Sequence, residues 1–241
     1  MMEECFNLVE RIIDEYVPKM FLSLKSNPAA RGTLKKICDL LDDIVKIVNI
    51  EIPRNYRVEE IMRFCTPLTL MMIVRPAMDH LLTAYVFGAY PLCYQSIRMS
   101  TEALAYSLYV DLSMPLSNNS IFLEKLLKFQ KYYLKKRRIS TSKLIKNLSN
   151  VVSKELSRKM RKIWHETSNS FLHFKGYLDK MLKWHSDNPP SCLVGAFVGY
   201  DDADEPCLNE LRKVVEEFRE LLKETWSFWK NWHNKQATQK L

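Results

Sequence analysis

MDHLLTAYVFGAYPLCYQSIRMSTEALAYSLYVDL, running from Met78 to Leu112, is the most apolar long stretch of the chain. Gly88 and Pro91 interrupt it three residues apart. Gly is favoured just past a helix end, where a left-handed residue costs it nothing, and Pro is favoured in the first turn of the next helix. The stretch therefore predicts a helix to about Phe87, a turn at Gly88–Ala89–Tyr90, and a second helix from Pro91. One long helix kinked at Pro91 is the alternative.

The second helix carries Gln95, Arg98 and Glu102 on one stripe, with Leu92, Ile97, Leu104 and Leu108 among Ala, Tyr and Met elsewhere. A helix apolar nearly all round is predicted to be buried. A buried Arg must be paired, because an unpaired buried charge is expensive. Glu102, one turn on, is the expected partner. Arg before Glu is the weaker order for local helix support, which favours a tertiary role: fixing how helices meet, or lining a pocket.

Only five of the 241 residues are Gly, which disfavours a turn-rich β sandwich and favours helices. The expected fold is all-α: a single helical domain over residues 1–241, built around the buried central hairpin. Apolar residues at helical spacing extend this outward. Residues 2–25, with Phe6 to Phe21 as the apolar stripe, read as one helix and Leu34 to Val48 as a second, with Ser26–Asn27–Pro28 between them. Ile50 to Tyr56, with Pro53, reads as a connector, and Val58 to Phe64 as a short helix. Leu68–Arg75, between Pro67 and Pro76, fits either a buried helical turn or an extended segment. Leu144 to Leu182 reads as helix with breaks near Ser149–Asn150 and near Gly176. Residues 186–205 read as a loop. The last helix runs from about Pro206 to beyond Trp232 and packs through Leu208, Leu211, Val215, Phe218, Leu222, Trp226 and Trp229, with Trp232 and the tail from Asn234 expected to fray.

The six cysteines, Cys5, Cys38, Cys65, Cys93, Cys192 and Cys207, form no CxxC pair. They read as small hydrophobes in a reducing, cytoplasmic setting. The acidic, amphipathic start MMEECFNLVERIIDEY does not read as a secretory signal, and none is expected there. The longest apolar runs, Leu68–Val74 and Leu81–Tyr94, are shorter than the roughly 20 residues of a membrane helix, so no membrane span is expected.

The formal charge of +8 is uneven. Residues 120–163 hold ten Lys and four Arg against Glu124 and Glu155, a net of +12, leaving −4 for the rest. This basic helical arm suits a phosphate backbone, with Lys128, Lys131, Lys135, Lys136, Arg137, Arg138, Lys143 and Lys146 as candidate nucleic-acid contacts. Phe129, Tyr132, Tyr133 and Trp164 are candidate stacking partners. An acidic protein or an anionic membrane surface suits the charge as well.

Several chemistries fail on spacing. No P-loop, dinucleotide fingerprint or GxSxG elbow is present. His165–Glu166–Thr167–Ser168–Asn169 begins like HExxH, but the second ligand is Asn169. The next histidine, His173, lies about 12 Å further along a helix, too far for one zinc ion. Asp201, Asp202, Asp204 and Glu205 read better as charges at a helix start than as a metal cluster. No metal and no cofactor is expected.

GAYPLCYQSIRMSTEALAYSLYVDL resembles the Arg-and-Glu helix of a group of all-helical prokaryotic proteins likened to HEPN domains. In that group a segment with a Ser and a His follows some tens of residues later. Here HETSNSFLHFKG supplies Ser168, Ser170 and His173, although the residue four before His173 is Asn169. The resemblance spans about residues 60 to 185. It implies an all-helical fold and a link to RNA processing or to toxin–antitoxin and defence systems. It also implies a ribonuclease motif, an Arg followed by four to six residues and a His, with two copies meeting across a homodimer. Arg158 and His165 fit with six between; Arg75 and His80 fit with four. In the first pair His165 would deprotonate or position an RNA 2′-hydroxyl, and Arg158 would stabilise the transition-state charge. Three readings follow: an RNA-associated protein with weak or no catalysis, an active metal-independent endoribonuclease, and a non-enzymatic partner of an acidic protein. Arg98, Glu102 and His173 are expected together, as a pocket or a structural ion pair, with Arg98 and Glu102 both largely buried.

Overall fold

The computed structural model describes residues 10–113, 124, 127, 131, 140–168, 200 and 204–238. A π-helical turn, Ile12–Tyr16, leads into α1 (Val17–Ser26), followed by α2 (Pro28–Lys46). A second π turn, Ile47–Glu51, joins α2 to α3 (Ile52–Asn55). Next come α4 (Val58–Ile61), α5 (Cys65–Thr69) and a third π turn, Leu70–Val74. Then α6 (Arg75–Val86), α7 (Tyr90–Ser113), α8 (Thr141–Leu148), α9 (Lys154–Thr167) and α10 (Glu205–Thr238) follow. No strand occurs among the described residues, and the all-α expectation holds.

Local chemistry sets these boundaries. Asn27 is extended and its side chain accepts from Ala30 N at 2.9 Å, so it ends α1 and caps α2. Gly88 has φ 68°, the left-handed conformation that closes α6, and α7 restarts at Tyr90. Ser140 accepts from Lys143 N and starts α8. Two readings needed correction. The expected connector Ile50–Tyr56 is helical as far as Asn55, because Pro53 falls at the start of α3, where a missing N–H costs nothing, and only Tyr56 is extended. The chain beyond Trp232 stays helical to Thr238, since His233 stacks on Trp229. Leu68–Arg75 is helical throughout. The expected loop 186–205 is described only at Tyr200, Asp204 and Glu205.

The described residues cluster into two compact units. One draws on Met1–Leu40, Met78–Ile97 and Thr167–Glu216; the other on Leu41–Ala77, Arg98–Glu166 and Glu217–Leu241. In the first, Leu81, Tyr85, Tyr90, Cys93, Tyr94 and Ile97 of the hairpin are fully buried, with Ala30, Ile37, Leu208 and Leu211. Tyr85 donates from its hydroxyl to Ala30 O at 2.7 Å, and Tyr200 donates to Tyr85 O. Burial pushes both phenols and the Cys93 thiol well above their usual pKa. Leu92 and Met99 are exposed, so α7 is less enclosed than an all-round apolar helix should be.

In the second unit the core is aromatic. Trp226 and Trp229 stack at 5.1 Å, and His233 stacks on Trp229 at 5.1 Å. Tyr56 and Phe64 meet Trp229 and His233 edge-on. These are favoured ring geometries, worth about 0.5–1.5 kcal/mol per pair beyond area burial. Beneath them lies the buried carboxylate of Asp111. It accepts from Cys65 N at 2.7 Å, Thr66 N at 2.9 Å and Trp229 Nε1 at 3.0 Å. Phe64 at the N-cap of α5 has no side chain able to cap, so Asp111 of α7 caps α5 from another helix.

Asp111→Ala is expected to lower unfolding stability by about 3 kcal/mol or more, because three buried donors lose their acceptor. Asp111→Asn should cost less. Urea denaturation of the two variants checks the order. A second expectation concerns His233. Burial lowers its pKa, against the opposing influence of Asn234, Glu60 and Asp111. The unfolded imidazole therefore protonates first on acidification, and stability should fall as pH drops through the usual histidine value of 6.5. His233→Phe should flatten that slope between about pH 7.5 and pH 5.5 in thermal melts.

Candidate nucleic-acid interface

α9 has three distinct sides, set by its sequence spacing. Leu156, Ser157, Met160, Ile163 and Thr167 are buried. Ser157 donates to Ile145 O at 2.8 Å, which holds α8 against α9. A second side is tied to α10. Lys159 bonds Glu224 and also pairs with Glu155 at 3.4 Å. Lys162 pairs with Glu217 at 2.6 Å and Glu166 at 3.8 Å. The bond to Glu224 and the bond to Glu217 hold the Lys159 and Lys162 ammonium groups above their usual pKa.

The third side carries Arg158, Arg161 and His165, at i, i+3 and i+7. Arg158 and Arg161 are exposed and His165 is half-buried. Arg161 Nε donates to His165 Nε2 at 3.4 Å. Arg158 and His165 are about 10.5 Å apart along the axis and make no contact. Within one chain, the arginine beside His165 is Arg161, which the six-residue spacing overlooked.

Arg98 and Glu102 meet Trp164 of this helix. Arg98 Nε donates to Glu102 Oε1 at 3.1 Å, and Trp164 Nε1 donates to the same oxygen at 2.6 Å. The Arg98 guanidinium lies 5.3 Å from the Trp164 ring centroid, a cation–π contact. The pair meets α9 through Trp164, but its side chains, expected to be largely buried, remain 24% and 28% exposed. They sit at the rim, because Trp164 beside them is itself only half-buried. His173 lies outside the described residues, so the expected trio is not described as a whole.

Of the other candidates, Lys131, Lys143 and Lys146 are exposed. Lys128, Lys135, Lys136, Arg137 and Arg138 lie outside the described residues. In the second half of the Arg75–His80 motif, His80 is exposed, while Arg75 donates to Asn49 Oδ1 at 2.8 Å. Among the described residues no group of three His, Cys, Asp or Glu is placed to hold a metal ion, and no helix is long and apolar enough to cross a membrane.

Sequence reading missed a second polar cluster. Asp43 accepts from Arg219, and from Lys223 at 3.1 Å. Glu51 accepts from Trp226 Nε1 and Lys230 Nζ, both at 2.8 Å. Partial burial raises each carboxyl's pKa, but these bonds outweigh it and hold both below their usual values. The available signal was charge spacing: Glu216, Lys223 and Lys230 recur every seven residues along α10.

Comparison with family models, curated proteins and solved structures gives no match.

The partial exposure of Arg98 and Glu102 sets the scale of their contribution. Solvent screening limits such a pair to about 1 kcal/mol or less, below the 3–5 kcal/mol of a buried pair. Glu102→Ala should therefore destabilise by roughly 1–2 kcal/mol, since it strands two donors that still reach water. The double change Arg98→Met, Glu102→Leu should cost no more than the single one. Chemical denaturation followed by tryptophan fluorescence checks both.

Proposed function

We propose that this chain is an RNA-associated helical protein. Its binding face is the Arg158–Arg161–His165 stripe of α9, with the exposed Lys143 and Lys146 of α8. One observation carries the reading. Lys159 and Lys162 are neutralised by carboxylates of α10, whereas Lys143, Lys146, Arg158 and Arg161 have no carboxylate partner among the described residues. Part of the arm's charge is thus needed for packing and part is left facing solvent. Exposed cations without acidic neighbours attract phosphates and release their counterions on binding. Guanidinium groups match phosphate geometry in a bidentate fork.

Cleavage is a second reading, supported by the Arg161–His165 contact. In that reading the His165 imidazole acts as the base that takes the 2′-hydroxyl proton. The adjacent guanidinium would stabilise a pentavalent phosphate. In that reading a second copy of the chain would bring its own stripe to the same RNA.

Fluorescence anisotropy with a mixed-sequence single-stranded RNA tests the first reading. Affinity should fall steeply with salt, and Arg158→Gln and Arg161→Gln should each reduce the log–log salt slope by about 1. Salt-independent binding, or none, would reject it. Incubation with RNA in EDTA tests the second: cleavage abolished by His165→Ala is expected if the stripe is catalytic, and intact RNA leaves binding alone.

A further inference from the structure

In the second unit, the end of α2 and the following π turn face α10 across a pocket of ≈ 230 Å³. Its polar lining is Asp43, Lys46, Glu51, Lys223, Ser227 and Lys230, and its apolar wall is Ile47 and Trp226. It has no part in the proposed RNA face. The volume equals that of roughly seven or eight liquid waters, room for a molecule of metabolite size.

The polar groups divide into those already committed and those still open. Lys223 and Lys230 are paired with the carboxylates, and Trp226 donates to Glu51. Each carboxylate uses one oxygen for these bonds, Asp43 Oδ2 and Glu51 Oε2. The other oxygens, Asp43 Oδ1 and Glu51 Oε1, accept no hydrogen bond from the described residues. Lys46 forms no ion pair among them either, although its charge helps hold Glu51 ionised. The Ser227 hydroxyl is exposed. What remains open is one ammonium, one hydroxyl and two carboxylate oxygens. A simple anion would meet two carboxylates, and a simple cation would meet three ammonium groups. A molecule of both signs satisfies all of them.

We propose that this pocket binds a small zwitterion with a carboxylate and an ammonium group on neighbouring atoms, the chemistry of a free α-amino acid. The ligand carboxylate accepts from Lys46 Nζ and the Ser227 hydroxyl. The ligand ammonium donates to Asp43 Oδ1 or Glu51 Oε1. An apolar side chain lies against Ile47 and the edge of Trp226. Charge-assisted bonds at both ends provide selectivity over ligands with one charge.

Isothermal titration of the full chain with glycine, leucine, phenylalanine, glutamate and lysine tests this, with acetate and ethylamine as single-charge controls. At least one amino acid should saturate, with both controls weaker by about tenfold or more, the effect of losing one charge-assisted bond. Lys46→Met should weaken binding by about tenfold with little change in melting temperature, since Lys46 is exposed, in no ion pair among the described residues, and acts on Glu51 only through its charge. Ser227→Ala should weaken it less. The proposal is overturned if no amino acid saturates, if acetate or ethylamine binds equally well, or if Lys46→Met binds as the parent does.

Discussion

A carboxylate in a protein interior must be solvated by the protein itself, and Asp111 shows how one residue can organise its surroundings. Its two oxygens gather the first two N–H groups of α5 and the indole of Trp229. These donors come from two different helices, while Asp111 belongs to a third. None of them could be satisfied by its own helix: the amides are the unpaired start of α5, and an indole has no acceptor nearby on an α-helix. The carboxylate thus fixes where α5 begins, which side of α10 faces inward, and how deep the end of α7 lies. The rings of Tyr56, Phe64, Trp226 and His233 pack around the tryptophan so held.

The repeating elements could be read from the sequence because periodicity reports burial directly. Ile37, Leu40 and Ile44 of α2, Ile47 of the following π turn, and Leu208, Leu211, Val215, Phe218 and Leu222 of α10 are buried where their spacing places them. The turn at Gly88 was legible because its backbone angle favours one residue type. What escaped was set by contacts distant in sequence. Asp111 is the sole charge between Glu102 and Glu124, but its partners lie 45 to 118 residues away. The π turns were hidden for a related reason: they keep apolar residues at helical spacing while inserting one extra position. The Arg98–Glu102 pair was legible, but its degree of burial depended on Trp164, a residue in another helix. The choice of Arg161 over Arg158 beside His165 is a matter of side-chain reach.

The distribution of charge is more informative than its total. α10 presents glutamates to α9 and lysines to the far end of α2, so the same helix neutralises cations on one side and carboxylates on another. Lys159 and Lys162 count toward the basic arm in a sequence tally, yet they leave little field in solvent. The arginines of the neighbouring stripe do.

The π turn Ile47–Glu51 has a consequence for how the chain reaches its native state. On α2, Lys36 pairs with Glu216 in one unit and Asp43 pairs with Lys223 in the other, seven positions further on in both helices. The next pair, Glu51 with Lys230, advances eight positions on one side and seven on the other, and the π turn absorbs the difference. Matching two helices residue by residue in this way leaves little tolerance for a slipped pairing. The partners are also far apart in the chain, with separations of 175 to 179 residues. Such contacts require closing a very long loop before they are rewarded, which slows folding. During synthesis, the acidic residues of α2 emerge long before their cations, so the helix must wait for most of the chain before its polar edge is matched. A chaperone or an early local collapse that covers this edge would be favoured in the interval.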